Sequence, residues 1–403
     1  MKSVVQIFSL DLIAKAMMGI LGVIIIRFMP EIEYAKYTFA LSLVFVITQI
    51  LSTSLNRIYI VGHHTLNLND PLAFLGYQLF CICLLICVTV PFQHLASGIY
   101  WFAVALVSAT CLSEFSRTIF QQKLRFFRFS FVELFRSSLF FLCVLILISI
   151  VHYKLHAWQV LLCQSGAMFA SFFVFFRARI QIKETFLVRR ALDIALAVLR
   201  GKYRYLFGYF SLLAFFSQLD VFMLKTLSSN FSLATYGSAF RYYSLLMLSL
   251  AAVHSVLLPS IQKVESIEDW NEVLAGLKRM LLVFVPVALF GAWFSQWIIP
   301  WIDKGKYPEA VTVFRILAVS SVFSFAFSPH VNLVLRFEDF KFLFLLILTA
   351  LFLAACLNIL LIPRYQAVGS AVATLVGFGF VNLSIFFRTR KHKVNLSRHP
   401  GGG

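Results

Sequence analysis

Residues 217–259 read SQLDVFMLKTLSSNFSLATYGSAFRYYSLLMLSLAAVHSVLLP, two apolar helices joined by a short polar turn. Asp220 lies in the first helix and Arg241 in the second. With the turn near Ser229–Ser232, each is about 9 residues from it, so at ~1.5 Å per residue both reach a similar depth. Charges in lipid are costly, so they face protein or a water-filled cavity and mark a pathway or a partner. The stretch therefore predicts an antiparallel membrane hairpin. Its acid and base either form a salt bridge between the two helices or line a polar cavity.

The whole chain agrees with that hairpin. It has 403 residues, 61% hydrophobic and 13% charged, with a mean hydropathy of +0.88. Soluble proteins average roughly 45–50% apolar and about 25% charged, so a soluble globule is excluded. The net charge of +18 would suggest nucleic acid in a soluble protein. Here the basic residues cluster between apolar segments, which points to membrane orientation instead and to no nucleic-acid partner. The first apolar run lacks a cleavage site with a polar sequel, so it is expected to remain as a membrane helix. Most of the seven cysteines fall inside apolar runs and read as small hydrophobes. Cys81, Cys83 and Cys87 have no nearby His or acid, so no metal site is expected.

A membrane span needs ~20 mostly apolar residues. About twelve runs meet that criterion: 4–28, 34–60, 72–92, 99–120, 131–151, 158–176, 205–227, 236–258, 280–299, 311–335, 342–362 and 367–387. With a cytoplasmic N-terminus, about 23 Lys and Arg fall on the cytoplasmic side and about 7 on the other; the bias puts both termini in the cytoplasm. Residues 179–202 carry Leu187, Ala191, Ile194 and Val198 at helical spacing among Arg189, Arg190 and Arg200. They predict an amphipathic cytoplasmic linker between an N-terminal six-helix lobe (1–178) and a C-terminal one (203–390), with a cytoplasmic tail over 391–403. Ser266-x-x-Asp269, followed by Trp270, Val273, Leu274 and Leu277, predicts a capped interfacial helix. Pro259, Pro286 and Pro329 are expected to kink helices. The fold class expected is an all-α polytopic membrane protein with about twelve transmembrane helices in two six-helix lobes. Its connections are too short to hold a catalytic domain, which argues against an enzyme such as a membrane polymerase or ligase.

Other polar groups lie inside the spans. Asp11 and Lys15 share one helix face, either as a mutually neutralised pair or as a cavity pair. Gln49, Ser52, Thr53 and Asn56 form a polar stripe that must face a cavity or another helix. Arg57 continues the stripe or snorkels to the headgroups. Glu114/Arg117 and Glu133/Arg136 are spaced to pair within their own helices, and Arg136, one turn inside its span, is the better cavity candidate. Arg315 is a further cavity candidate; His254 and His330 read as packing residues or proton carriers. The candidate cations Lys15, Arg57, Arg136, Arg241 and Arg315 outnumber the acids Asp11 and Asp220. Such a cavity attracts an anion, and the Arg fork suits phosphate.

Several stretches carry a family resemblance. They are Leu219-Asp220-Val221; Ala234-Thr235-Tyr236-Gly237-x-Ala239-x-Arg241; and Leu258-Pro259-Ser260-Ile261. Further on come Lys306-Tyr307-Pro308-Glu309-Ala310 with Phe314-Arg315-Ile316-Leu317, and Tyr365-Gln366-Ala367-Val368-Gly369-Ser370-Ala371-Val372-Ala373-Thr374. Near the start, Glu31-x-Glu33-Tyr34-x3-Thr38 is similar to the family's first outer turn but lacks its usual Gly. In order and spacing they resemble the Wzx-type O-antigen and capsule repeat-unit flippases of the multidrug/oligosaccharidyl-lipid/polysaccharide (MOP) superfamily, which also holds the MATE multidrug exporters. The resemblance implies alternating-access transport of an undecaprenyl-diphosphate-linked oligosaccharide across the bacterial inner membrane. Partners implied are that substrate, membrane lipids, a polysaccharide polymerase and a chain-length regulator. No cofactor is implied beyond coupling to a H+ or Na+ gradient. On the family pattern Asp220 and Arg241 match the recurring acid and base of the seventh and eighth spans.

Overall fold

The structure is a computed structural model that describes residues 2–56, 71–90, 98–122, 125–150, 155–176, 203–262, 264 and 266–398. Among the described residues every regular element is helical. The first half holds α1 (Lys2–Phe28), α2 (Glu31–Thr48, continued by a π-helical segment Gln49–Ser54), α3 (Pro71–Thr89), α4 (Tyr100–Gln122), α5 (Phe126–Ile150) and α6 (Ala157–Phe176). The second holds α7 (Tyr203–Leu227), α8 (Asn230–Gln262), α9 (Ile267–Asp303) and α10 (Ala310–Arg336). A last helical stretch, Phe340–Arg398, is broken at Gln366 (φ 49°, ψ −126°) into α11 (340–365) and α12 (367–398). Among the described residues, eight continuous helical stretches are long and apolar enough to cross a membrane. Each of the twelve runs expected from the sequence contains a helix. The protein is an all-α polytopic membrane protein of two six-helix halves.

Two compact units divide the chain, Met1–Ala214 and Phe215–Gly403, with the division inside α7. The expected amphipathic linker over 179–202 lies outside the described residues. In the first unit α1 packs on α5, and α4 on α6 and α2. Glu33 ties α2 to α6: one carboxylate oxygen accepts from the Ala157 backbone N–H at 3.0 Å, the other from Lys36 Nζ at 2.8 Å. The first-turn motif thus satisfies an N–H that the start of α6 would leave orphaned.

In the second unit α10 packs against α8, α9 and the α11–α12 pair. The faces are legible in α9, whose buried residues Trp270, Val273, Leu277, Phe284, Ala288, Ser295 and Ile299 recur at helical spacing. Its opposite side exposes Leu282, Val283, Phe290 and Trp301, as a helix bordered by hydrocarbon should. The capping box is present: Ser266 Oγ accepts from Asp269 N–H at 3.1 Å, and the Asp269 carboxylate from Ser266 N–H at 3.0 Å. It does not start a separate interfacial helix, however. α9 runs on from that cap for 37 residues, about 56 Å at 1.5 Å per residue. Pro286 and Pro329 sit inside continuous helices, as does Pro300. The break in regular geometry falls at Gln366, three residues after Pro363. There α12 turns back so tightly that a Cβ on Gly369 would stand 2.5 Å from the Leu361 carbonyl oxygen. Small residues that let backbones approach are the usual means of helix association in lipid, where no hydrophobic force separates helix from tail.

Candidate functional site

The strongest convergence of buried polar groups is built around Asp220, on α7 and 6% exposed. Tyr236 of α8 donates its hydroxyl to Asp220 Oδ2 at 2.6 Å. Thr374 of α12 places Oγ1 2.5 Å from the same oxygen and 3.0 Å from the Ser370 carbonyl. Asn358 of α11 sends Nδ2 to Asp220 Oδ1 at 3.4 Å and to the Ala354 carbonyl at 3.0 Å. Its Oδ1 accepts from Ser370 Oγ at 3.0 Å. Four helices thus supply one carboxylate, one amide and three hydroxyls. The break at Gln366 makes this possible, because it folds α12 back so that Ser370 and Thr374 face Asn358. The turn is held by Ser232, whose hydroxyl donates to Gln366 Oε1 at 2.7 Å. Oxygen ligands of this kind suit a hard cation or a proton and do not suit a soft metal.

The expected Asp220–Arg241 pair is corrected here. α7 ends at Leu227 and α8 begins at Asn230, so the turn is Ser228–Ser229. That places Tyr236 level with Asp220 and puts Arg241 five residues further on, about 7.5 Å along α8. Arg241 is half-buried and is not among the groups that hold the carboxylate.

The other expected site residues are scattered. Lys15 is half-buried on α1; the side chain of Asp11, all of Arg57 and the side chain of His254 lie outside the described residues. Of the polar stripe, Ser52 and Asn56 are buried. Asn56 donates to Ser52 Oγ at 3.1 Å and accepts from Gln78 of α3 at 2.7 Å. Gln49 and Thr53 remain partly exposed. The stripe is split because the segment is π-helical, which alters the residues-per-turn on which the expected face rested.

Arg136 does more than pair within its own helix. It bonds Glu114 of α4 at 2.7 Å as well as Glu133. Arg117 bonds Glu114 at 2.9 Å and Glu133 at 3.1 Å. Two cations and two carboxylates form one charge-balanced quartet across α4 and α5. Arg315 of α10 donates to the Ala292 carbonyl of α9 at 3.0 Å and to Gln296 Oε1 at 3.2 Å. Buried His330 meets Thr389 Oγ1 at 2.9 Å and packs edge-on to Trp270 and Phe386, as a packing residue does.

Asp303 escaped the sequence reading. It is the last residue of α9 and fully buried, with Oδ2 2.5 Å from Ser238 Oγ and Oδ1 2.8 Å from Tyr242 OH, both on α8. Its one sequence signal is an acid closing an apolar run.

No protein-family model matches the chain. An uncharacterized membrane protein of Methanocaldococcus jannaschii is 26% identical over 184 residues, 44% of this chain and 43% of that protein. The chain thus spans less than half the length of that relative. The structural comparisons reach further. The lipid II flippase MurJ in an inward closed conformation aligns over 98% of this chain and 90% of its own, with a TM-score of 0.80 and 13% identity. The chain shares that fold over almost its whole length. A MATE-family multidrug resistance transporter in an inward-facing conformation gives 0.69 at 12% identity, covering 98% of this chain and 99% of its own. A Vibrio cholerae MATE transporter gives 0.67 at 12% identity, covering 96% of each chain. The Asp220 cluster belongs wholly to the second unit, Phe215–Gly403.

Proposed function

We propose that this protein is a flippase that moves undecaprenyl-diphosphate-linked oligosaccharide repeat units, of O-antigen or a similar surface polysaccharide, across the bacterial inner membrane by alternating access. The observation that carries the reading is the likeness over almost the whole chain to a protein named as a lipid II flippase. On this reading Lys15, Arg57 and Arg241 attract the diphosphate. Arg136 is engaged by Glu114 and Glu133, and Arg315 by α9, so each steadies the helices of its own unit. Gln49 and Thr53 offer hydrogen bonds to sugar, with Ser52 and Asn56 as their support. Asp220, with Asn358, Ser370 and Thr374, is the centre through which a H+ or Na+ gradient couples to movement. A polysaccharide polymerase and a chain-length regulator act on the same route.

The test neutralises Arg241 or Arg57 singly and measures surface polysaccharide at matched expression. Each change is expected to lower export, and full activity in both defeats the anion clamp. A second reading, a multidrug exporter, is favoured by the MATE likenesses. Loss of drug resistance with normal polysaccharide in a strain lacking the protein would select it.

A further inference from the structure

We propose that Asp303, with Ser238 and Tyr242, is a proton-binding site distinct from the Asp220 centre. The carboxylate closes α9 and is fully buried, and both its oxygens are taken by hydroxyls one turn apart on α8. It is not needed to end the helix. Lys304 (φ 55°) and Gly305 (φ 70°) turn the chain, and the Gly305 N–H closes on the Pro300 carbonyl at 2.8 Å and the Lys306 N–H on the Asp303 carbonyl at 3.2 Å. The backbone of the turn is thus satisfied without the side chain.

An acid is also a poor choice for a purely structural bond here. The C-terminal end of a helix carries partial negative charge, which opposes a carboxylate. An Asn would make comparable hydrogen bonds without burying charge. What an acid adds is the capacity to take up a proton. The two hydroxyls suit that exchange, because each can donate or accept. When the carboxylate gains a proton, its new O–H donates to one hydroxyl, which turns its own hydrogen away, and the site stays bonded in both states.

Lys306, in the same connection, is a charged group that acts on Asp303 electrostatically, and Lys304 follows it in sequence. α8 presents the Ser238 and Tyr242 hydroxyls. α10 presents the Phe314 ring, 6.3 Å from that of Tyr242, while Arg315 is turned to Ala292 and Gln296 of α9. Tyr307 packs on Phe231 of α8.

The position of the site gives it a consequence. Tyr236, which holds Asp220, and Ser238, which holds Asp303, are two residues apart on α8, about 200° around the helix. One helix therefore carries, on opposite faces at nearly one level, the donors for both buried acids. A rotation or slide of α8 alters both sites together, so occupancy of one biases the other, and the bias is reciprocal. Use of the proton to drive transport rests on the flippase reading; the proton site itself does not.

Infrared difference spectroscopy of the full-length protein in lipid, titrated with acid, tests the site directly. The wild type is expected to show protonated-carboxyl C=O absorption that grows on acidification, and Asp303→Asn is expected to lose a component of it that Asp220→Asn retains with a shifted midpoint. Retention of the whole titrating signal in Asp303→Asn overturns the proposal. Should that variant fail to fold, Ser238→Ala with Tyr242→Phe is expected to move the midpoint of the band by about one pH unit, and an unmoved midpoint overturns it equally. A titrating band in a protein that exports no polysaccharide keeps the proton site and removes the flippase reading. Export without the band does the reverse.

Discussion

Replacing Tyr236 by Phe isolates what holds Asp220. The ring stays, stacked on Phe240 at a centroid distance of 6.2 Å, so no cavity opens. Only the hydroxyl is lost, and with it a 2.6 Å bond to a buried carboxylate. Hydrogen bonds to charged groups contribute about 1.5–3 kcal/mol. For a unit the size of Phe215–Gly403, each kcal/mol moves the midpoint by about 2–4 °C, so the expected fall is roughly 3–12 °C. Thermal unfolding of the purified protein in detergent, followed by tryptophan fluorescence, reads it. Thr374→Val removes the other hydroxyl on the same oxygen. Because the two share an acceptor, the double variant should be non-additive by about 0.5–3 kcal/mol. Arg241→Gln is the control. If Arg241 paired with Asp220, its neutralisation would couple to Tyr236→Phe; from the geometry the two should add to within about 0.5 kcal/mol. A Tyr236→Phe protein that melts like the wild type, or strong coupling between positions 236 and 241, refutes the reasoning.

Gln366 holds a backbone conformation that suits Gly, so Gln366→Gly relieves about 1–3 kcal/mol of strain and offsets loss of the neutral Ser232 bond. It should melt no lower than the wild type, while Gln366→Ala, which loses the bond and keeps the strain, should melt lower. Gly369→Ala drives a Cβ against the Leu361 backbone and should sharply reduce folded protein in membranes. Gly166→Ala, with nothing within 4 Å, should instead gain up to about 1 kcal/mol of helix propensity in the same melts. Arg136→Gln leaves Glu114 and Glu133 to share Arg117 and should cost about 3–5 kcal/mol; adding Glu133→Gln should recover much of the lost membrane expression.

The helices were legible because one physical length, the thickness of hydrocarbon, fixes how many apolar residues a span needs. Their mutual registers were not. Placing the α7–α8 turn at 229–232 instead of 228–229 was enough to pair Asp220 with Arg241 in place of Tyr236. Each residue of error moves a side chain ~1.5 Å along the helix and 100° around it. Asn358, Ser370 and Thr374 were hidden for another reason. In a membrane helix such residues serve packing as readily as ligation, and their role emerges only where the Gln366 break brings α11 and α12 together. Sequence spacing reports i,i+3 neighbours, so it pairs Arg136 with Glu133 of its own helix and not with Glu114 across on α4.

The two units treat buried charge in opposite ways, and on the proposed flippase reading this bears on where energy coupling would reside. In the first, Glu114, Arg117, Glu133 and Arg136 cancel one another. Such a quartet has no charge left to exchange with a gradient, and removing one member mainly unbalances the rest. In the second, the bonds found for Asp220 and Asp303 come from hydroxyls and one amide, with no ion pair to either among the described residues. Neutral donors orient a carboxylate without cancelling its charge, so each can take up a cation and release it again. A ligand shifts a conformational equilibrium only through a difference in affinity between states. Since Tyr236, Ser238 and Tyr242 all stand on α8, movement of that one helix would change the affinity of both acids at once. On the proposed flippase reading, coupling would belong to α8 and the second unit, and the quartet of the first would serve as scaffold.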